Sequence, residues 1–124
     1  MVPSTPTYRD GSQAGDNGEQ VDGPLYELDA VRARCAAGKV TFSRKAEAGY
    51  QAEGFSKDSA IACIASLVGG EYKKSLRYDG MQPFDAYVAT RLCGRHSVYK
   101  PLYIKFRIPN PSVVDQVYVT SFHP

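Results

Sequence analysis

The chain has 124 residues, 43% of them hydrophobic, and a formal net charge of +2, which fits one globular domain built around a single core. No apolar run approaches the roughly 18–20 residues that cross a bilayer. The amino terminus also lacks the basic and apolar blocks of a secretory signal. We therefore expect a soluble, cytoplasmic protein with no membrane partner.

The three cysteines, Cys35, Cys63 and Cys93, are odd in number and widely spaced. They predict no disulfide framework and agree with a reducing cytoplasm. Cys93 and His96 form one Cys-x-x-His pair without a second ligand pair, whereas zinc sites usually take four ligands at paired spacings. We expect no metal and no cofactor.

Residues 1–23 are rich in Gly, Ser, Pro and Asp and nearly devoid of aliphatic side chains. Such a segment buries too little surface to offset the entropy lost on ordering. It carries four acidic side chains against Arg9 alone, so we predict a flexible acidic tail. Residues 24–124 are then the single folded domain.

Apolar residues at helical spacing, serine caps and glycine stops predict three helices after this tail. Ser43 and Ser56 are the candidate caps of the second and third helices, and Gly38 can end the first. Residues 39–42 are expected as an extended link or an edge strand. The helices are predicted over Leu28–Cys35, from Arg44 to about Glu53, and from Ser56 to the stop at Gly69.

The second half of the chain has the pattern of strands. Phe84–Leu92 alternates, and Leu102–Ile108 places an apolar row on one face and Tyr103, Lys105 and Arg107 on the other. A turn at 109–112 and a run of β-branched and aromatic residues then lead to His123. The predicted fold class is α+β, with about three N-terminal helices packed on one face of a three- to four-stranded antiparallel sheet.

Basic residues concentrate in this half: residues 71–107 hold eight Lys and Arg against three Asp and Glu, which suggests a polyanionic partner. RNA cleavage without a metal needs a base for the 2′-hydroxyl, an acid for the leaving oxygen and cations for the phosphate. His123, Tyr103 and Lys74 have the chemistry for these roles. The proton-transfer assignment between His123 and Tyr103 stays open.

Each of these residues also fits a structural role. Tyr103 could be a half-buried packing residue, His123 part of a solvated terminus, and Lys73-Lys74 an exposed pair. The pattern leaves two non-catalytic functions open beside RNA cleavage. One is an RNA-binding module in which Tyr103 stacks on a base, and the other is a protein-interaction domain whose basic face meets an acidic partner.

Four blocks, in order, resemble the MqsR family of toxins: Glu71–Leu76, Asp85–Tyr87, Leu102–Phe106 and Val119–His123. The resemblance spans about residues 25–123. It implies a RelE-like fold and an mRNA interferase of a toxin–antitoxin pair. Such enzymes cut single-stranded mRNA at short sequences without a metal and are inhibited by a cognate antitoxin.

Lys74 and Tyr103 match active positions of that family, and His123 stands where the family commonly has a lysine. Phe84 occupies the position of an active-site glutamine, and Gln82 is the nearest glutamine. The predicted catalytic residues are Lys74, Tyr103 and His123. The predicted RNA-binding residues are Lys73, Arg77, Tyr87, Arg91, Lys105 and Arg107.

Overall fold

The computed structural model describes residues 18–95, 97–109 and 115–124. These residues form three helices and a six-stranded sheet with strand order β1-β3-β4-β5-β6-β2. Along the chain the elements are β1 (Glu19–Val21), α1 (Leu28–Ala36), β2 (Val40–Phe42), α2 (Arg44–Ala52), α3 (Lys57–Ala65), a 3-10 turn (Gly69–Glu71), β3 (Tyr72–Arg77), β4 (Phe84–Cys93), β5 (Val98–Arg107) and β6 (Val117–His123).

Two of the three helices, α2 and α3, begin at serines whose side chains accept N–H groups of the first turn. The Ser43 hydroxyl accepts the N–H of Ala46 at 3.1 Å, and Ser56 forms a capping box with Ser59. After α1 and α2 the chain turns at Gly38 and Gly54, whose φ values of +73° and +87° favour glycine. None of the described helices is both long enough and apolar enough to cross a membrane.

The sheet is mixed rather than antiparallel. β3, β4, β5 and β6 pair antiparallel and β1 adds antiparallel to β3, but β2 pairs parallel with β6. Strands hold more residues than helices, β1 precedes the first helix, and β2 separates α1 from α2 along the chain. The predicted RelE-like arrangement, with N-terminal helices on a three- to four-stranded antiparallel sheet, is therefore wrong.

Part of the predicted tail belongs to this sheet. Glu19, Gln20 and Val21 pair with Arg77, Leu76 and Ser75 of β3. The backbone pairing satisfies N–H and C=O groups without any apolar pattern, so the polar composition of residues 1–23 gave no sign of it. Residues 1–17 of the predicted tail lie outside the described residues, as do His96 and most of the predicted turn at 109–112.

The helices cover one face of the sheet and enclose the core with it. α1 contacts α3, and α2 packs on β6. Phe122 of β6 lies between the rings of Tyr50 and Phe55, at centroid distances of 6.0 and 5.3 Å. Burying a side chain of this size stabilises the fold by about 1.5–3 kcal/mol. These contacts fix the end of β6, and with it the position of His123.

Candidate functional site

The residues with chemistry gather on the second face of the sheet, opposite the helices. Successive side chains of a strand point to opposite faces, so Leu102, Ile104 and Phe106 of β5 enter the helix-covered core. Tyr103 and Arg107, from the same strand, occupy the second face. The period-two pattern of β5 predicted this separation.

Tyr103 and His123 are in contact across β5 and β6. Their Cα atoms are register partners, and their rings are 5.6 Å apart between centroids with a tilt of 38°. The Nδ1 atom of His123 lies 3.0 Å from a main-chain oxygen of Pro124. Because that oxygen only accepts hydrogen bonds, the contact is a hydrogen bond in the tautomer that carries its proton on Nδ1. The other ring nitrogen, Nε2, then carries the lone pair in the neutral imidazole.

Lys74 lies on the same face, two strands away from Tyr103. Its register partner is Ala86, whose own partner across the next strand is Lys105. Lys105 is in turn the partner of Ser121 on β6. Adjacent strands are about 4.8 Å apart, so the Cα atoms of Lys74 and Lys105 are separated by about 10 Å. The three predicted catalytic residues therefore share one face of the sheet.

Lys105 is held within an aromatic cluster. Its side chain is 5% exposed, and Nζ donates a hydrogen bond to the Tyr78 hydroxyl at 2.8 Å. The same ammonium lies 4.8 Å from the centroid of the Tyr78 ring and 5.5 Å from that of Phe84. Aromatic faces attract a cation electrostatically, so these rings fix the charge of Lys105 below the surface.

Three of the predicted RNA-binding residues lie away from this face. Tyr87 is 1% exposed and stacks on Phe106 in the core at 5.6 Å, and burial raises its pKa to about 12. Arg91 pairs with Glu71 at 2.7 Å on the helix side of β4. Arg77 pairs with Glu19 at 3.2 Å at the sheet edge. The structure does not bring these three side chains to Tyr103 and His123.

Two further residues complete the placement. Lys73 is exposed where the register between β3 and β4 shifts. Gln82 donates to the Tyr26 hydroxyl at 2.8 Å and to the Ile108 carbonyl at 2.7 Å. Its amide thus has a structural role, and it does not stand in at the second face for the glutamine of the resembled family.

The aromatic neighbours of the cations were missed at the sequence level. Tyr78, Phe84 and Tyr118 come from three separate segments and meet Lys105 and Arg107 only through the sheet. The alternation of β4 puts Phe84 on a face with Ala86 and Val88. Nothing in the local sequence pairs these rings with particular cations, because the strand register is a long-range property.

Within residues 18–95, 97–109 and 115–124, no group of three His, Cys, Asp or Glu side chains is placed to hold a metal ion. No protein-family model matches the chain, and no curated protein matches its sequence. The resemblance to the MqsR family thus stays a prediction from the sequence. Any function has to be argued from the second face itself.

Proposed function

We propose that the chain is an endoribonuclease that cleaves single-stranded mRNA by metal-independent transesterification. The observation that carries the proposal is the contact between Tyr103 and His123, 5.6 Å apart between ring centroids. An imidazole exchanges protons near neutral pH, and a phenol can donate one. Two such groups side by side can serve both proton transfers of the reaction.

The hydrogen bond at Nδ1 of His123 favours one assignment of roles. Nε2 accepts the proton of the 2′-hydroxyl, and the 2′-oxygen attacks the adjacent phosphorus. The bond from phosphorus to the 5′-oxygen breaks, and the Tyr103 hydroxyl protonates that leaving oxygen. The products are a 2′,3′-cyclic phosphate and a 5′-hydroxyl. Proton transfer from the imidazolium to the phenolate then restores both groups.

Lys74 supplies positive charge to the crowded phosphate in this proposal. A lysine acts as a flexible point charge for phosphate, and Lys74 shares the face of Tyr103 and His123. Lys105 is held by Tyr78 and Phe84 and contributes a fixed field rather than a direct contact. A cation placed in advance of the reaction stabilises developing negative charge without reorganisation.

The biological setting rests on the sequence resemblance. On that basis the chain would act in the cytoplasm as an mRNA interferase, and a cognate antitoxin protein would inhibit it. The excess of basic residues over 71–107 suits both an RNA substrate and an acidic inhibitor segment, because each is a polyanion.

The test is a digest of single-stranded RNA by the purified protein in the presence of a chelator. We expect fragments that end in a 2′,3′-cyclic phosphate. Loss of cleavage in Lys74→Ala and in His123→Ala, with both proteins folded, would support the roles of these two side chains. Intact RNA in the wild-type digest would refute the proposal.

A second candidate is an RNA-binding module without catalysis. It is favoured by Arg107, whose guanidinium lies 5.1 and 5.4 Å from two aromatic ring centroids, an arrangement more typical of a binding surface than of a reaction centre. Its signature would be salt-sensitive RNA binding without a cyclic phosphate product. If RNA did not bind at all, a protein-interaction domain would be the remaining candidate.

A further inference from the structure

One row of side chains crosses the second face at Arg107. Leu76 pairs with Phe84, Arg107 pairs with Tyr118, and Tyr118 pairs with Thr41. The Arg107 guanidinium lies 5.1 Å from the Phe84 ring centroid and 5.4 Å from that of Tyr118. Aromatic faces attract a cation electrostatically, so these two rings hold the guanidinium in its place on the second face.

The guanidinium of Arg107 has donor capacity that the surrounding described residues leave unused. The Nε atom of Arg107 is buried and has no hydrogen-bond partner in the described part of the chain. No described Asp or Glu forms an ion pair with it either. Because Nε itself is enclosed, an acceptor that enters from solvent would bind the terminal N–H groups of the guanidinium.

A cavity of about 290 Å³ adjoins the guanidinium. Its described lining is Thr41, Arg107, Pro109, Gln116 and Tyr118, with no acidic side chain. The Thr41 hydroxyl bonds to Gln116 across the cavity wall. The space is small for a drug-sized ligand but ample for a phosphate group. Arginine forks match phosphate oxygens with two parallel hydrogen bonds.

The cavity is too far from Tyr103 to serve the same phosphate. Arg107 follows Tyr103 by four residues on β5, which is about 13 Å at 3.3–3.4 Å per residue. The rings of Phe84 and Tyr118 hold the guanidinium above its own row of the sheet. It therefore cannot swing along the strand to a phosphate between Tyr103 and His123.

We propose that Arg107 and its cavity form a separate oxyanion subsite, which binds a phosphate of the RNA strand remote from the cleaved one. The inference rests on the proposed function, since it extends that substrate along β5. The subsite recognises a phosphate group and does not distinguish one base from another. With this subsite, the enzyme would prefer a longer RNA strand to a short one.

The first experiment compares a short with a long substrate. A dinucleoside monophosphate reaches Tyr103 and His123 but not Arg107, whereas an oligonucleotide of eight to ten residues reaches both. We expect Arg107→Gln to raise KM about tenfold for the oligonucleotide and to leave the dinucleotide unchanged. Arg107→Lys keeps the charge but lacks the planar fork of donors, so we expect a smaller rise of KM for the oligonucleotide alone. The control is Arg44→Gln, an exposed arginine at the start of α2.

Two results would overturn the subsite. If Arg107→Gln slowed both substrates equally, Arg107 would act on the cleaved phosphate. If neither substrate changed, Arg107 would be structural. Loss for the oligonucleotide alone in both Arg107 variants, with Arg44→Gln at wild-type rates, would support the proposal.

A second experiment keeps the subsite testable if the wild type cleaves no RNA. Inorganic phosphate is titrated into the ¹⁵N-labelled protein, and the side-chain Nε–H signal of Arg107 is followed. We expect a saturable shift of that signal with phosphate and none with chloride at equal ionic strength. An Nε–H signal that did not move would overturn the subsite independently of the nuclease activity.

Discussion

Both carboxylate oxygens of Asp85 accept the main-chain N–H of Leu25, at 3.0 and 2.9 Å, although the residues are 60 positions apart. The same carboxylate accepts the N–H of Tyr26 at 2.9 Å and the Ser75 hydroxyl at 2.5 Å. Asp85 is fully buried on β4. One charged side chain thus ties the segment before α1 to the centre of the sheet.

Replacing Asp85 by asparagine should destabilise the protein strongly. The amide has one acceptor oxygen instead of two and turns its NH₂ group towards donors, so buried N–H groups lose their partner. We expect the free energy of unfolding to fall by about 2–4 kcal/mol, measured by urea denaturation. Asp79→Asn, at an exposed turn, is the control and should change it by less than about 0.5 kcal/mol. Equal effects would contradict the anchoring role.

Local signals predicted the helices and the long strands but not the sheet order. Ser43 and Ser56 act as caps because the signal and its hydrogen bond lie within three residues. β3 escaped prediction because it carries charged side chains on both faces, with Lys74 on one and Arg77 on the other. Its strand conformation depends on pairing with β1 and β4, which no local pattern encodes.

The candidate site, too, is predicted by local sequence patterns only in part. The alternation of β5 in the sequence predicts which face of the sheet Tyr103 occupies. The contact of Tyr103 with His123 also depends on the register between β5 and β6, which the sequence does not reveal. Tyr87, a predicted RNA-binding residue, is adjacent to Val88 and so points to the other face. Its contacts with Tyr72 and Phe106 place it in the core. Residue type alone could not decide between the two faces.

Gly49 should resist replacement by alanine, although alanine is the better helix former. Gly49 lies within α2, and a Cβ atom there would collide with the main-chain oxygen of Phe122 on β6. The helix preference of about 1 kcal/mol for alanine is outweighed by overpacking of about 1–3 kcal/mol. We expect a lower Tm for Gly49→Ala.

The control for Gly49 is Gly69→Ala, because a Cβ atom at Gly69 meets no atom within 4 Å. Its Tm should stay near that of the wild type. Gly49→Ala should also reduce RNA cleavage, because Phe122 precedes His123. A Tm for Gly49→Ala at or above the wild-type value would show that α2 can move off β6 without cost.

The ion pair of Glu71 with Arg91 should make stability depend on pH in the acidic range. The hydrogen bond from Arg91 is the main cause that holds the pKa of Glu71 below its usual value. A carboxyl whose pKa is lower in the folded state contributes stability above its unfolded pKa and loses it as the pH falls through the folded one. Glu71→Gln should therefore cost about 1 kcal/mol at pH 7 and almost nothing at pH 2.

Urea denaturation of Glu71→Gln and wild type at both pH values measures this difference. The matched control is Glu19→Gln, which removes the more exposed pair with Arg77 and should change little at either pH. A deficit of Glu71→Gln that stayed constant between pH 7 and pH 2 would exclude the ionised carboxylate as its source.

The cysteine thiols should be unreactive in the folded protein. Cys35, Cys63 and Cys93 are buried, and burial raises all three pKa values, that of Cys63 to about 11. Because the thiolate is the reactive form, labelling by a disulfide reagent at pH 8 should be on the order of 10²-fold slower than in denaturant. A thiol that is labelled equally fast in both states would contradict the buried placement.

The hydroxyl of Tyr103 separates the catalytic from the packing interpretation of the second face. Tyr103→Phe keeps the ring beside His123 and removes only the O–H group that protonates the leaving oxygen. We expect kcat for RNA cleavage to fall by about 10²–10⁴-fold, with RNA affinity close to wild type. Tyr99→Phe is the matched control, since Tyr99 lies on the same strand, is 72% exposed and has no role in the reaction.

His123 provides the complementary measurement, because a missing base can be supplied in solution. His123→Ala should lose cleavage, and added imidazole should restore part of it with a dependence on the concentration of the neutral form. Imidazole should not rescue Tyr103→Phe, which still has its base. If Tyr103→Phe cleaved at the wild-type rate, the 5.6 Å ring contact would be packing. The proton for the leaving oxygen would then have to come from a group other than the Tyr103 hydroxyl.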